Sequence, residues 1–289
     1  MINHMDLIET IENSMDEFSK GHRLIAKYII ANFDKAAYMT ASALGAEVGV
    51  SESTVVRFAN ELGFDGYPQL QQQIRETTRV RLTSVQRLNA ANNRMNEDEV
   101  LDFILTADAE RIRSTLDTVD RAAFAKAADM MLSAKNIYIL GMRSSAVLAE
   151  YMRHYFGLMF ENVRLLKPAS GSELFENLMN IHAGDVFVSI SFPRYTTSIV
   201  NATEFAQNAG AKVIALTDSL SSPIVPHADV SLIAKSEMAS FADSLVAPMS
   251  VINALIAYIG KKKQDEVAEN LTKLEAVWKE YNVYTMNNK

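Results

Sequence analysis

The chain has 289 residues, is 48% hydrophobic and carries a formal net charge of −7, with a mean hydropathy of −0.01 and a pI near 5.3. That balance fits a globular chain of two ordinary domains and argues against coating of nucleic acid by bulk attraction, although a local basic face suffices for DNA binding. Cysteine is absent, which excludes disulfide and thiolate chemistry. Apolar runs such as Val186–Ile190 fall far short of the roughly 20 residues of a membrane span, and the start Met1–Asp6 has no signal-peptide pattern, so a cytoplasmic protein is expected.

Residues 1–82 read as helical throughout, with Leu7, Ile11, Met15 and Phe18, then Leu24, Ile25, Tyr28, Ile29 and Phe33, at helical spacing. Thr40 opens a short helix, Val48-Gly49-Val50 breaks it, and Ser51 opens another that closes at Gly63. The asparagine-rich stretch 89–98 reads as a linker or loose helix end, within a connecting segment over 83–120 that includes a helical pattern at Val100–Leu116. From residue 136 short apolar runs alternate with helical segments: Ile137–Leu140, Val163–Leu166, Val186–Ile190, Val213–Leu216 and Val230–Ile233. Continuous apolar strands separated by helices imply a five-stranded parallel sheet covered on both faces, in a domain spanning 121–289. Two apolar helices, about 241–260 and 265–284, end the chain.

The segment from Ala41 to Leu62 has the make-up of a helix-turn-helix. Gly45 provides the small residue where two helices approach, Gly49 tolerates positive φ in the turn, and Leu44, Val48, Val50, Val55 and Phe58 supply the locking core. That leaves Ser51, Glu52, Ser53, Thr54, Arg57 and Asn60 at the start and outer face of the second helix, where this motif enters the major groove. Arg57 suits guanine and Asn60 adenine. Ser51, Ser53 and Thr54 suit phosphate oxygens, and Glu52 would repel phosphate unless it reads a cytosine amino group. The other reading is a plain helical hairpin.

Ser53-Thr54-Val55-Val56-Arg57-Phe58, followed by Glu61-Leu62-Gly63-Phe64-Asp65-Gly66-Tyr67-Pro68-Gln69-Leu70, resembles the signature of the RpiR/MurR family of bacterial regulators over about eighteen residues. The resemblance implies an N-terminal helix-turn-helix domain, residues 1–82, that binds double-stranded operator DNA. It also implies a C-terminal sugar isomerase (SIS) domain, a doubly wound αβα sandwich that binds a phosphorylated sugar.

Two strand–turn–helix loops carry the second constellation, Gly141-Met142-Arg143-Ser144-Ser145 and Ser189-Ile190-Ser191-Phe192-Pro193-Arg194-Tyr195-Thr196. Each sets hydroxyls and backbone amides at the carboxyl edge of a parallel sheet and at a helix N-terminus, an arrangement that favours an anion. A dinucleotide site fits poorly, because Arg143 stands where the second glycine of Gly-x-Gly-x-x-Gly belongs. Within the resemblance, Ser145, Ser189, Ser191 and Thr196 match the family's ligand hydroxyls, and Gly141, Arg143, Ser144 and Arg194 complete the candidate effector site. Glycine is usual where Arg143 stands, and Ser-Gly where Pro193-Arg194 stands. One reading makes the two arginines a clamp for a more anionic effector, a bisphosphate or a sugar acid phosphate; another pairs one of them with a nearby carboxylate such as Glu150 or Glu173, or has it simply reach solvent.

The five histidines lack metal-ligand spacing, so no metal is expected; no cofactor and no catalytic residue are assigned. A phosphosugar isomerase is the rival reading, with Glu173 or His182 as its base. The expected function is transcriptional regulation, as the repressor of a sugar-catabolic operon, by a homodimer or homotetramer. Its paired recognition helices would lie about 34–36 Å apart.

Overall fold

Ser19 starts the first long helix by accepting the amide of His22 on its hydroxyl at 3.3 Å, which satisfies one free donor of the helix start. The computed structural model describes residues 7–81, 83–92, 96–238 and 240–284, so the expectations for residues 1–6 and the middle of the proposed linker at 93–95 lie outside it. The chain divides into two units, residues 1–93 and 94–289.

The first unit is helical: α1 (Leu7–Asn13), α2 (Lys20–Ala31), α3 (Phe33–Ala36), α4 (Ala41–Val48), α5 (Glu52–Glu61), α6 (Gly66–Arg81) and α7 (Ser84–Asn92). Leu7, Ile11, Phe18, Ile25, Ile29, Leu44, Val55, Phe58, Leu70 and Ile74 form its buried core, with Val48 and Val50 packed against it. Leu24, expected with that set, is exposed instead. The turn between α4 and α5 follows from its residues. A Cβ at Gly45 would stand 2.8 Å from the Val50 carbonyl oxygen, and Gly49 sits at φ +75°, which side chains disfavour. Three side chains of α6 then stitch it to the segment before α4: Tyr67 and Gln71 donate to the Met39 carbonyl at 2.8 and 2.6 Å, and Arg75 to that of Ala37 at 2.7 Å.

The second unit opens with α8 (Val100–Thr118) and α9 (Arg121–Leu132). The segment expected as a connection over 83–120 is thus mostly helix, and its second half belongs to this unit, where α8 packs on the later α13 (Val246–Lys262). Then follow β1 (Ile137–Gly141), α10 (Ser145–Phe156), β2 (Val163–Leu165), α11 (Gly171–Leu178), β3 (Val186–Ile190), α12 (Thr197–Asn208), β4 (Lys212–Thr217) and β5 (Val230–Ile233), and after α13 comes α14 (Gln264–Glu280). The strands pair in parallel in the order β2-β1-β3-β4-β5. One face, with Ile137, Ile139, Val188, Ile190, Ile214 and Leu232, packs against α9, α10 and α13. The other, with Tyr138, Leu140, Phe187, Val213 and Ala215, packs against α11 and α12, so the architecture is an αβα sandwich. The helix expected from about 241 starts at Val246, and before it Met238 and Asp243 form an antiparallel bridge. Among the described residues no helix is long and apolar enough to cross a membrane.

Candidate functional site

In the first unit the Ser51 hydroxyl caps α5, accepting the Thr54 amide at 3.3 Å and contacting the hydroxyls of Ser53 and Thr54 at 2.9 and 2.8 Å. Ser51, Glu52, Ser53, Arg57 and Asn60 are exposed and Thr54 is half-buried, so the six candidates share one end and the open face of α5, while Val55, Phe58 and Ala59 hold the opposite face in the core. Arg57 lies along its own helix, Nε donating to the Ser53 carbonyl at 3.3 Å, which leaves its Nη groups to reach outward. Asn60 differs from expectation in one respect. Its Oδ1 accepts the Gly66 amide at 3.0 Å and so fixes the turn into α6. The bidentate adenine contact needs that same oxygen as acceptor together with the NH2 group beside it as donor, so base reading by Asn60 competes with this turn.

In the second unit the sheet order reverses between β1 and β3: the chain leaves β1 for β2 on one side and returns to β3 on the other. In open parallel sheets the crevice at such a switch, at the carboxyl ends of the strands, is where ligands bind. The loops from Gly141 to Ser145 and from Ser191 to Thr196 flank it, each running directly into the N-terminus of a twelve-residue helix, α10 or α12. Gly141 is buried under the start of α10, and a Cβ there would lie 2.3 Å from the Ser145 carbonyl oxygen.

Arg143 and Arg194 occupy these two loops with φ of +56° and +68°, left-handed backbone that favours glycine. Both side chains are exposed. On the β2 side of β1 a cleft of about 280 Å³ opens beside Arg143, lined also by Gly141, Ala146, Glu150, Leu165 and Lys167 but by no residue of the second loop. Glu150 pairs with Lys167 at 2.7 Å, and Glu173 accepts the Ala169 amide at 2.6 Å, so the carboxylates considered as arginine partners are engaged by other groups.

The hydroxyls divide. Ser144 is exposed and Ser145 buried at the start of α10. Ser191 is buried at the end of β3, where its amide donates to the Leu216 carbonyl, and Thr196 reaches back across the crevice to Met142 Sδ at 3.6 Å. Ser189 departs from its expected role. It sits within β3 on the face turned to α12, is fully buried, and shares a 2.8 Å hydrogen bond with Thr203, whose hydroxyl donates to Ile199. Period-two alternation along the strand puts it with Phe187 in the core, away from the crevice.

Sequence reasoning passed over Tyr195 and Asp218. The Tyr195 hydroxyl donates to Asp218 Oδ1 at 2.6 Å, tying the loop after β3 to the end of β4. Only the fold brings these two together, although Tyr195 lay inside a loop already singled out. Asp229, at the amino end of β5, lies below the usual carboxylate range: its partial burial acts upward, but the Lys212 ion pair at 2.7 Å and the Val213 amide at 2.9 Å outweigh it.

Comparison with known proteins agrees with this two-part geometry. Residues 5–79 match the helix-turn-helix domain of the rpiR family, and residues 130–258 match the SIS domain. The chain is 26% identical to the HTH-type transcriptional regulator HexR of Escherichia coli over 289 residues, covering 96% of this chain and 95% of that one. It is 28% identical to HexR of Pseudomonas aeruginosa over 214 residues, 73% of each chain. Among solved structures, the Vibrio vulnificus NanR protein, complexed with ManNAc-6P, superposes with a TM-score of 0.61 at 18% identity, over 97% of this chain and 100% of that one. The chain thus joins an RpiR-type helix-turn-helix domain to a SIS domain and aligns along nearly its full length with an HTH-type transcriptional regulator.

Proposed function

We propose that this regulator is a cytoplasmic repressor of a sugar-catabolic operon, that it binds operator DNA as a homodimer or a pair of dimers, and that a phosphorylated sugar in the β1/β3 crevice relieves repression. The observation that carries the effector half is the pair Arg143 and Arg194. Each holds left-handed backbone without a glycine, at a cost on the order of 1–3 kcal/mol, and both stand at the mouth of a crevice whose helix N-termini already favour an anion. Two guanidiniums beyond the backbone donors suit an effector with more charge than one phosphate, a bisphosphate or a sugar acid phosphate. The phosphosugar in the NanR complex supports the broader class.

DNA reading falls to Arg57, with Ser51, Ser53 and Thr54 on phosphates. Enzymatic turnover is disfavoured by where its candidate bases lie. His182 stands just before β3, at the opposite end of the strand from the crevice, against Asp185 and the Ala183 carbonyl, and Glu173 is held in the cap of α11. The test is fluorescence anisotropy of the protein on its own upstream DNA at one fixed salt concentration, alone and then with N-acetylmannosamine 6-phosphate, glucose 6-phosphate and 6-phosphogluconate. Specific binding that one of these weakens supports the proposal. Turnover of a sugar phosphate by a protein that ignores DNA would overturn it.

A further inference from the structure

The ligand edge is connected to α8, the first long helix on the chain after the DNA-binding unit, by a run of buried and partly buried contacts. Tyr195, beside Thr196 in the crevice loop, donates to Asp218 Oδ1 at 2.6 Å, and the Thr217 hydroxyl donates to the same oxygen at 3.3 Å. The Thr217 carbonyl accepts the Ala234 amide at 2.8 Å. The next residue, Lys235, donates its amide to the hydroxyl of Thr115 on α8 at 3.0 Å. Before α13 the chain holds α8 a second time: Ser244 donates to Asp108 Oδ1 at 2.7 Å, an oxygen that also takes Arg111 Nη1 at 3.1 Å. Thr115, Arg111 and Asp218 are each less than 8% exposed, and Thr217 is fully buried.

Polar contacts of this kind are costly to leave half made, so a shift at one member is passed on to its neighbour and not absorbed by water. The buried Arg111 guanidinium is held by that Asp108 oxygen, and its Nε meets no acceptor among the described residues.

We infer that the run from Tyr195 through Asp218, Thr217, Ala234 and Lys235 to Thr115 reports occupancy of the crevice to α8, with Asp108, Thr115 and Ser244 as positioning residues that couple ligand binding to DNA affinity. This rests on the regulator reading above and adds to it the elements whose equilibrium both sites bias.

Two measurements on the full chain test it. Hydrogen exchange without ligand examines the connection alone. Tyr195→Phe, at the distant end, raises exchange of the amides of residues 111–118 about 3-fold or more, as does Thr115→Val beside them. Unchanged exchange in Tyr195→Phe overturns the inference whether or not a sugar phosphate binds. Anisotropy on upstream DNA with 6-phosphogluconate as probe examines the consequence. The wild-type DNA Kd shifts about 10-fold, within the usual span of allosteric coupling, and the shift falls below about 3-fold in Thr115→Val and Asp108→Asn. In both variants DNA affinity without the probe, and thermal stabilisation by the probe, stay within about 2-fold of wild type, a pattern that simple loss of stability does not produce. Thr115→Ser, which keeps the hydroxyl, restores the shift. Full wild-type coupling in both variants overturns the inference. A wild-type protein that 6-phosphogluconate neither stabilises nor shifts counts against the proposed effector class, and the exchange measurement then decides the connection by itself.

Discussion

The helix-turn-helix region and the crevice turn corners of left-handed backbone with different residues, while elsewhere in the second unit such corners fall to glycine, at Gly184 and Gly210. In the helix-turn-helix, Gly49, Gly63 and Gly66 take φ of +75°, +85° and +78°. At the crevice, Arg143 and Arg194 take +56° and +68°. A corner that serves only to redirect the chain is met at little cost by glycine. A corner built on arginine carries strain that the surrounding structure must offset, which is reasonable where the side chain itself is wanted at that point. The first region is therefore shaped by its backbone, and the second spends stability to present two charges.

Substitutions can break this contrast, beginning with the largest effect. Gly45→Val forces a Cβ against the Val50 carbonyl and should destabilise the first unit by more than about 3 kcal/mol. Urea unfolding followed by circular dichroism measures it, and a nearly unchanged midpoint would show that the helix pair does not need its close approach. Arg57→Ala should weaken operator binding by about 1–3 kcal/mol and relax preference for one guanine, read by anisotropy on operators with single base changes. Equal weakening on every sequence would reassign Arg57 to phosphate.

Arg143→Gly and Arg194→Gly test the second region most directly. Each should leave the unfolding midpoint unchanged or raise stability by up to about 1 kcal/mol as strain is released. Each should also weaken effector binding about 10-fold through loss of a charge-assisted contact. Calorimetric titration reads the affinity, and a glycine variant with both lower stability and intact affinity would reverse the contrast drawn here. Asn60→Ala removes the acceptor of the Gly66 amide and should cost about 1 kcal/mol of stability, seen as a lower urea midpoint before any DNA is added. The smallest effect belongs to Asp229. Because its folded carboxyl is held low, its contribution is complete above the unfolded value near 4 and is lost as pH falls through the folded one. Stability of Asp229→Asn should therefore fall less steeply on the acid side, in thermal melts taken between pH 3 and 6.

Much of this architecture was legible in the residues. Each of the five apolar runs became a strand of the parallel sheet, and in β1 and β3 burial on both faces removes polar alternation. The caps at Thr40 and Ser51 and the turn at Gly49 stood where local chemistry required them. The site was legible only as loops. Which hydroxyl faces the crevice depends on strand register, and that turned Ser189 inward to Thr203. Asn60 was spoken for by an amide six residues away, through a turn whose shape periodicity does not encode. The place of α8 in the second unit follows from its packing on α13, with Asp108 meeting Ser244 and Thr115 meeting Lys235 across separations of 136 and 120 residues that no local pattern can announce.

The recognition helix is pinned at both ends. Ser51 caps its start, Asn60 holds the turn that follows it, and Glu61 grips His22, whose ring lies edge-on to Phe18 and Phe58. A reader mounted this firmly loses little freedom on docking, and it has little to give when an operator half-site is slightly too wide or too straight. The adjustment must then be made by the duplex. If α5 reads DNA as proposed, operators for this protein should accordingly be distinguished by how easily their untouched central base pairs bend and twist, as well as by the bases that Arg57 can reach.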